Sequence, residues 1–235
     1  PMAADVQLGL FYPPNLVMML LVPRITHRLL QVLCALHFWW AALGLYVCAR
    51  RLRIGAAPIG RPAALLGAVA FGLSDVFVTH IGNANLVAAA SWLPWSFVGL
   101  HRALHADGGA EAARWWALGA FAVGMAGLAG HPQPLAYILL LLVGYAVSMG
   151  IARVAGRGVS RSGPLSTRSL AAAPVIALVG LGLAAAALVP AWELLALTRR
   201  VALDAAAGSE FSVAPPLLSG LFVPALFARG MQRYW

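Results

Sequence analysis

The sequence predicts an all-α, polytopic membrane protein: a bundle of about six transmembrane helices, a short N-terminal interfacial or re-entrant helix, and a partial C-terminal apolar segment. Three observations carry that expectation. Hydrophobic residues fill 62% of 235 positions and charged residues 10%, whereas soluble domains run at about 45–50% apolar and about 25% charged. Mean hydropathy is +0.85. The third is an alternation in the loops. One kind is rich in arginine: Arg50, Arg51, Arg53 and Arg61; Arg102 and Arg114; Arg153, Arg157, Arg161 and Arg168. The other kind carries Asp75, His80, Asn83 and Asn85, then His131 and Gln133.

Leu8 to Val22 is apolar but interrupted by Pro13, Pro14 and Asn15. Its uninterrupted part, Leu16 to Val22, is too short to cross about 30 Å of hydrocarbon, so an interfacial or re-entrant helix is expected. The first full span runs from about Leu29 to Ala49. The second runs from about Pro62 to Val78, with proline at its start, where a missing N–H costs little. The third, about Asn85 to Leu100, is short and kinked by Pro94. The fourth is Trp115 to Ala129 and the fifth Pro134 to Ala152. A sixth extends from near Leu170 to about Leu197, and Pro215 to Phe227 is a further apolar piece. Gly124, Gly127 and Gly130 recur at a spacing that lets neighbouring helices approach closely. The resulting division is an external segment with its interfacial helix at 1–28, a bundle at 29–197, and an external loop with an incomplete apolar segment at 198–235. The polar start at Pro1 and the apolar run before Trp235 suggest an internal piece of something longer.

Short loops between consecutive spans must alternate sides, and basic loops stay in the cytoplasm. The arginine loops are therefore expected inside, and the histidine loops and N-terminal stretch outside, at a bacterial cytoplasmic membrane. A formal net charge of +9, supplied wholly by arginine, then meets anionic lipid and not nucleic acid. Cys34 and Cys48 share one expected helix at roughly 21 Å separation, beyond disulfide reach, and are packing residues. There is no Walker lysine, GxSxG, HExxH or CxxC pair, and Gly180-Leu181-Gly182 lies inside an apolar helix.

Polar groups near membrane depth are costly and usually mark function. On the external side they are Asp75, His80, Asn83, Asn85, His131 and Gln133. Glu193, Arg199, Arg200, Asp204 and Glu210 follow, with Asp5, Gln7, His27 and Arg28 in the N-terminal stretch. A bland account stands beside each one: a histidine in a helix–helix turn often caps carbonyls, and an arginine pair can contact headgroups. Taken as a set, they favour an active or transport site. His37, mid-span beside Trp39, is expected to be a packed, hydrogen-bonded residue. His101, His105, Asp107 and Glu111 look like a solvated cytoplasmic loop.

Three stretches carry a resemblance: Phe11-Tyr12-Pro13-Pro14-Asn15, then Ala129-Gly130-His131-Pro132-Gln133, and Pro190-Ala191-Trp192-Glu193-Leu194-Leu195 with Arg199 after it. In this order, with Leu86 to Trp95 between them, the chain resembles the bacterial YfhO-like membrane proteins, a branch of the C-type (GT-C) glycosyltransferases. The resemblance implies an enzyme that moves a sugar from a polyprenyl-phosphate carrier to a cell-surface polymer or glycolipid on the outer face. It also implies a catalytic carboxylate in the first external loop. Most of that loop would precede Pro1, and Asp5 would sit at its tail.

Such chemistry needs a base for the acceptor's proton and donors for the departing phosphate. Arg199 and Arg200 suit the phosphate, because a planar guanidinium binds it bidentately. His80, His131 and Gln133 are further substrate-binding candidates. Asp5 or Asp75 would be the base or a ligand to a divalent metal, and Glu193 a catalytic carboxylate that orients an arginine. The rival expectations are a transporter or lipid-carrier flippase using the same polar residues, with Pro94 and Pro190 at broken helices, and a noncatalytic assembly subunit.

Overall fold

A computed structural model describes residues 5–54, 57–106, 109–155 and 167–197. Pro1–Leu194 forms one compact unit and Leu195–Trp235 a second, of which only Leu195–Leu197 is described. The described chain is mostly helical. A 3-10 turn, Val6–Leu8, leads to α1 (Pro13–Leu21), which starts on its own proline pair. Thr26 caps α2 (His27–Ala49) through its hydroxyl. A minimal antiparallel ribbon, β1 (Arg53–Ile54) with β2 (Ala57–Pro58), reverses the chain into α3 (Arg61–Gly72) and the single turn α4 (Asp75–Val78).

Next come α5 (Ala84–Ser91) and α6 (Leu93–His105), broken at Trp92, with Pro94 in the first turn of α6. Then follow α7 (Gly109–Leu128), α8 (Pro132–Val154), α9 (Thr167–Leu183) and α10 (Ala185–Ala196). Three of these segments are long and apolar enough to cross a membrane: His27–Ala49, Arg61–Val78 and Pro132–Ala152. A fourth exists if α9 and α10 count as one span bent by 75°.

The remaining expected spans differ for physical reasons. α7 is the central helix, with Gly119, Ala120 and Ala122 to Gly127 all buried. A helix wrapped by protein needs no strongly apolar exterior, and α7 carries glycine and alanine where a lipid-facing helix carries leucine. The expected sixth span does not run straight: it breaks at Ala184, and Pro190 lies inside α10 instead of at the break. The expected third span is divided at Trp92, in keeping with its kinked reading. Pro215 to Phe227 lies outside the described residues.

Small residues set the packing around α7. A Cβ on Gly99 of α6 would stand 2.5 Å from both Cα and N of Gly119, so the two backbones are in contact there. Gly119 faces Ile176, Gly124 faces Leu183, and Gly127 faces Ala184. Numbering rises together along that seam, so α7 and α9 run parallel, as helices joined through the intervening α8 must when ends alternate. Gly124 and Gly127 thus permit the close approach that their spacing suggests. Gly130 does a different job, described below. Cys34 and Cys48 are both buried and free.

Candidate functional site

The helix ends sort into two groups. Cys34 Sγ, near the start of α2, approaches the Ile81 carbonyl at 3.8 Å. That contact brings the α2 N-terminus to the Asp75–Asn83 segment. The N-terminal 3-10 turn meets the α7–α8 junction: a Cβ on Gly9 would lie 2.9 Å from the Ala129 carbonyl oxygen, and one on Gly130 would collide with that of Val6. Gly130 also has φ of 91°, so glycine is required twice over. His80 lies close enough to His131 to disfavour its charged form. The histidine-bearing loops therefore share one end of the unit with the N-terminal turn.

The side chains there have mixed roles. Asp5 Oδ1 accepts from the Gln7 amide at 3.0 Å and caps the 3-10 turn. Asn15 Nδ2 donates to the Gly9 carbonyl at 3.0 Å, holding that turn against α1. Asn83 caps α5 by accepting from the Leu86 amide at 3.2 Å, a structural role. His80 Nδ1 lies 3.1 Å from the Val76 carbonyl. A carbonyl can only accept, so that nitrogen carries the proton. Asp75 opens α4 and is exposed. Gln133 is exposed on the first turn of α8, its Nε2 donating to Tyr137 Oη at 2.8 Å.

His131 differs from all of these. It is half-buried, and its Nδ1 is enclosed with no hydrogen-bond partner among the described residues. Burial first, and the nearby His80 second, push its pKa below the usual histidine value. Among the described residues no group of three His, Cys, Asp or Glu side chains gathers to hold a metal ion.

Beneath this surface lies a polar trio: Tyr12, His37 and Trp92. Tyr12 Oη is 2.8 Å from His37 Nε2, and Trp92 Nε1 donates to Tyr12 Oη at 2.9 Å. His37 Nδ1 lies 2.7 Å from the Leu33 carbonyl. The proton positions follow from what each atom can do. Leu33 accepts, so Nδ1 carries the hydrogen and Nε2 of the neutral ring accepts. Tyr12 donates to that nitrogen and receives from Trp92, which can only donate. Tyr12, His37 and Trp92 are 1%, 6% and 6% exposed, so the trio is shut away from solvent. His37 is the packed, hydrogen-bonded residue expected of a lone histidine in a helix. Burial pushes the Tyr12 hydroxyl well above the usual tyrosine value. The trio ties the N-terminal turn to α2 and to the α5–α6 break.

The opposite end is arginine-rich. Arg51 and Arg102 stand over the Trp115 ring at 5.8 and 5.2 Å, and Arg102 pairs with Glu111 at 2.7 Å. His101 is not on a solvated loop. α6 continues to His105 because Val98, Leu100, Ala103 and Leu104 keep one face buried, and His101 Nδ1 sits 2.6 Å from Tyr145 Oη of α8. Asp107 lies outside the described residues.

Glu193 is exposed on α10, with no hydrogen bond or ion pair among the described residues. Arg199, Arg200, Asp204 and Glu210 lie outside the described residues. The structure thus brings His80 and His131 together beside the Asp5 turn. Glu193 forms no hydrogen bond or ion pair with them. Comparison with known protein families, with curated proteins and with solved structures gave no match.

Proposed function

We propose that the chain belongs to a polytopic membrane glycosyltransferase of the C-type, moving a sugar from a polyprenyl-phosphate donor to a cell-envelope glycan acceptor. In this reading six spans cross a bacterial cytoplasmic membrane, the arginine loops face the cytoplasm, and the His80–His131 end faces out. One observation carries the reading: a half-buried histidine, His131, has an enclosed ring nitrogen without a partner among the described residues, near a second histidine. An unsatisfied polar atom at such a site is a free position for a substrate group.

The chemistry is acceptor attack on the anomeric carbon. A carboxylate takes the acceptor hydroxyl's proton, the new C–O bond forms, and the bond to the carrier phosphate breaks, leaving its electrons on phosphate oxygen. Asp75 or Asp5 would serve as the base. His80 and His131 would donate to the phosphate or sugar, with Gln133 at the rim. Arg199 and Arg200 would bind the phosphate oxygens, since a planar guanidinium does so bidentately, and Glu193 would orient either arginine.

The test is sugar transfer by the full-length protein in liposomes containing a radiolabelled polyprenyl-phosphate sugar. His131→Ala and Arg199→Ala are expected to reduce transfer by about 10²-fold or more, the usual scale for a lost acid–base or oxyanion contact. Undiminished transfer in both variants, each folded, would remove these residues from the mechanism. The 75° bend between α9 and α10 favours a second reading, a lipid-carrier flippase, since broken helices often line transport sites. Carrier movement between leaflets without any sugar transfer would establish that reading in place of the first.

A further inference from the structure

The arginine-rich end holds a cluster that the sugar chemistry does not use. Arg51 follows α2, Arg102 lies in the last turn of α6, and both guanidinium groups stand over the one Trp115 ring of α7, at 5.8 and 5.2 Å. A guanidinium held near an aromatic face by its charge does not spend its N–H donors on that contact.

Arg102 gives one donor to Glu111 at 2.7 Å, while its Nε is enclosed with no partner among the described residues. Arg51 forms no ion pair with a described acid. Among the described residues Glu111 is the one acidic side chain facing the pair, and the Trp115 Nε1 also points to it, at 3.4 Å. The His101 and His105 rings lie 4.5 Å apart, tilted by 41°. Burial, together with the charges of His105 and Arg102, brings His101 down to about 4, so His101 adds no positive charge near neutral pH. Arg50 is occupied with the Ile59 carbonyl. The cluster thus presents two fixed cations against one anion, on a flat aromatic shelf, where α2, α6 and α7 meet.

We propose that the Arg51–Trp115–Arg102 shelf binds a phosphate anion, the anionic headgroup of a membrane lipid being its source. Bidentate N–H pairs match phosphate oxygens, and Arg51 supplies guanidinium donors that no described acid takes. The apolar run of α2 ends beside the shelf, so a lipid whose chains lie along that helix would carry its headgroup to Trp115. The site lies at the other end of the unit from His80 and His131, and it stands whether or not the protein transfers sugar.

The test is ligand retention by the full chain in neutral detergent, read by native mass spectrometry. It is titrated separately with phosphatidylglycerol, phosphatidylcholine and inorganic phosphate. The wild-type protein is expected to hold phosphatidylglycerol at several-fold lower concentration than phosphatidylcholine. Arg51→Gln should weaken that binding by roughly fivefold, the scale expected of one arginine at a membrane surface. Trp115→Leu, which keeps every charge, should weaken it too, because the shelf is lost. Arg61→Gln, a basic residue of the same loop that does not touch Trp115, should leave it unchanged.

Inorganic phosphate binding with the same dependence on Arg51 and Trp115 would support the anion site with free phosphate as its source. Equal loss in Arg51→Gln and Arg61→Gln, or no loss in Trp115→Leu, would overturn the proposal in favour of diffuse surface charge. Thermal midpoints measured without lipid establish that each variant is folded.

Discussion

Tyr12 carries more structural weight than its surroundings suggest. Its hydroxyl is the middle of a chain from Trp92 through Tyr12 to His37 and the Leu33 carbonyl. Removing it with Tyr12→Phe keeps the ring but strands two buried polar atoms, which costs about 1–3 kcal/mol. Tyr137→Phe, an exposed partner of Gln133, should change stability by less than about 0.5 kcal/mol. Denaturation of both variants in one detergent distinguishes them, and a loss no larger for Tyr12 would mean that water satisfies the trio. This network was half legible: a lone histidine among aromatic residues suggests a packed, bonded ring. Its partner stands 25 positions away across a helix boundary, and local patterns carry no signal at that range.

His131 supports a prediction of opposite character. Its folded-state pKa lies below 6.5, so between the folded value and 6.5 the unfolded chain holds more protons than the native one. Stability from this group is full above 6.5 and is lost as pH falls through the depressed folded value. His80→Gln removes the second cause of the depression and should move His131 titration upward, as read by NMR of labelled histidine. An unmoved titration would show that His80 and His131 do not sense each other.

Among the helices, glycine positions decide which pairs approach. Gly99→Ala places a Cβ 2.5 Å from backbone atoms of Gly119, which cannot move aside as a flexible side-chain end can. Overpacking of this kind typically costs about 1–3 kcal/mol. Gly144 of α8 has open space where its Cβ would go, and Gly144→Ala should stabilise the helix by roughly 0.5–1 kcal/mol. Opposite shifts in thermal midpoint would confirm the seam, whereas matching shifts would place α6 and α7 farther apart. α2 and α8 were legible because lipid-length apolar runs leave little alternative. The break at Ala184 was not: it falls in a run of glycine, leucine and alanine without a local stop signal, while Pro190 drew attention and sits inside α10. α7 differs for the converse reason, since a helix buried by protein along most of its second half does not need the composition of one that meets lipid.

The alternation of arginine and histidine loops becomes a physical arrangement in the assembled unit. Arg51, Arg102 and Trp115 cluster at one end, and the loops of His80 and His131 lie at the other. Helices that alternate in direction, with charge confined to one set of ends, produce the asymmetry that orients a chain during membrane insertion. Part of the candidate site was legible from this pattern alone, because loop chemistry tells which ends must coincide. The role of the Asp5 carboxylate as a turn cap was not legible, since it depends on the backbone of Gln7.

The orientation itself has a direct measurement. In protein with Cys34 and Cys48 replaced by alanine, Gln133→Cys and Arg61→Cys each place a single exposed thiol at opposite ends. In intact cells a membrane-impermeant maleimide should label position 133 at once and position 61 only after permeabilisation. The reversed pattern would put the histidine end in the cytoplasm and remove an external sugar transfer there. Labelling of both from outside would mean that the two ends do not lie on opposite sides of a membrane, and the alternation would then describe a surface and not a topology.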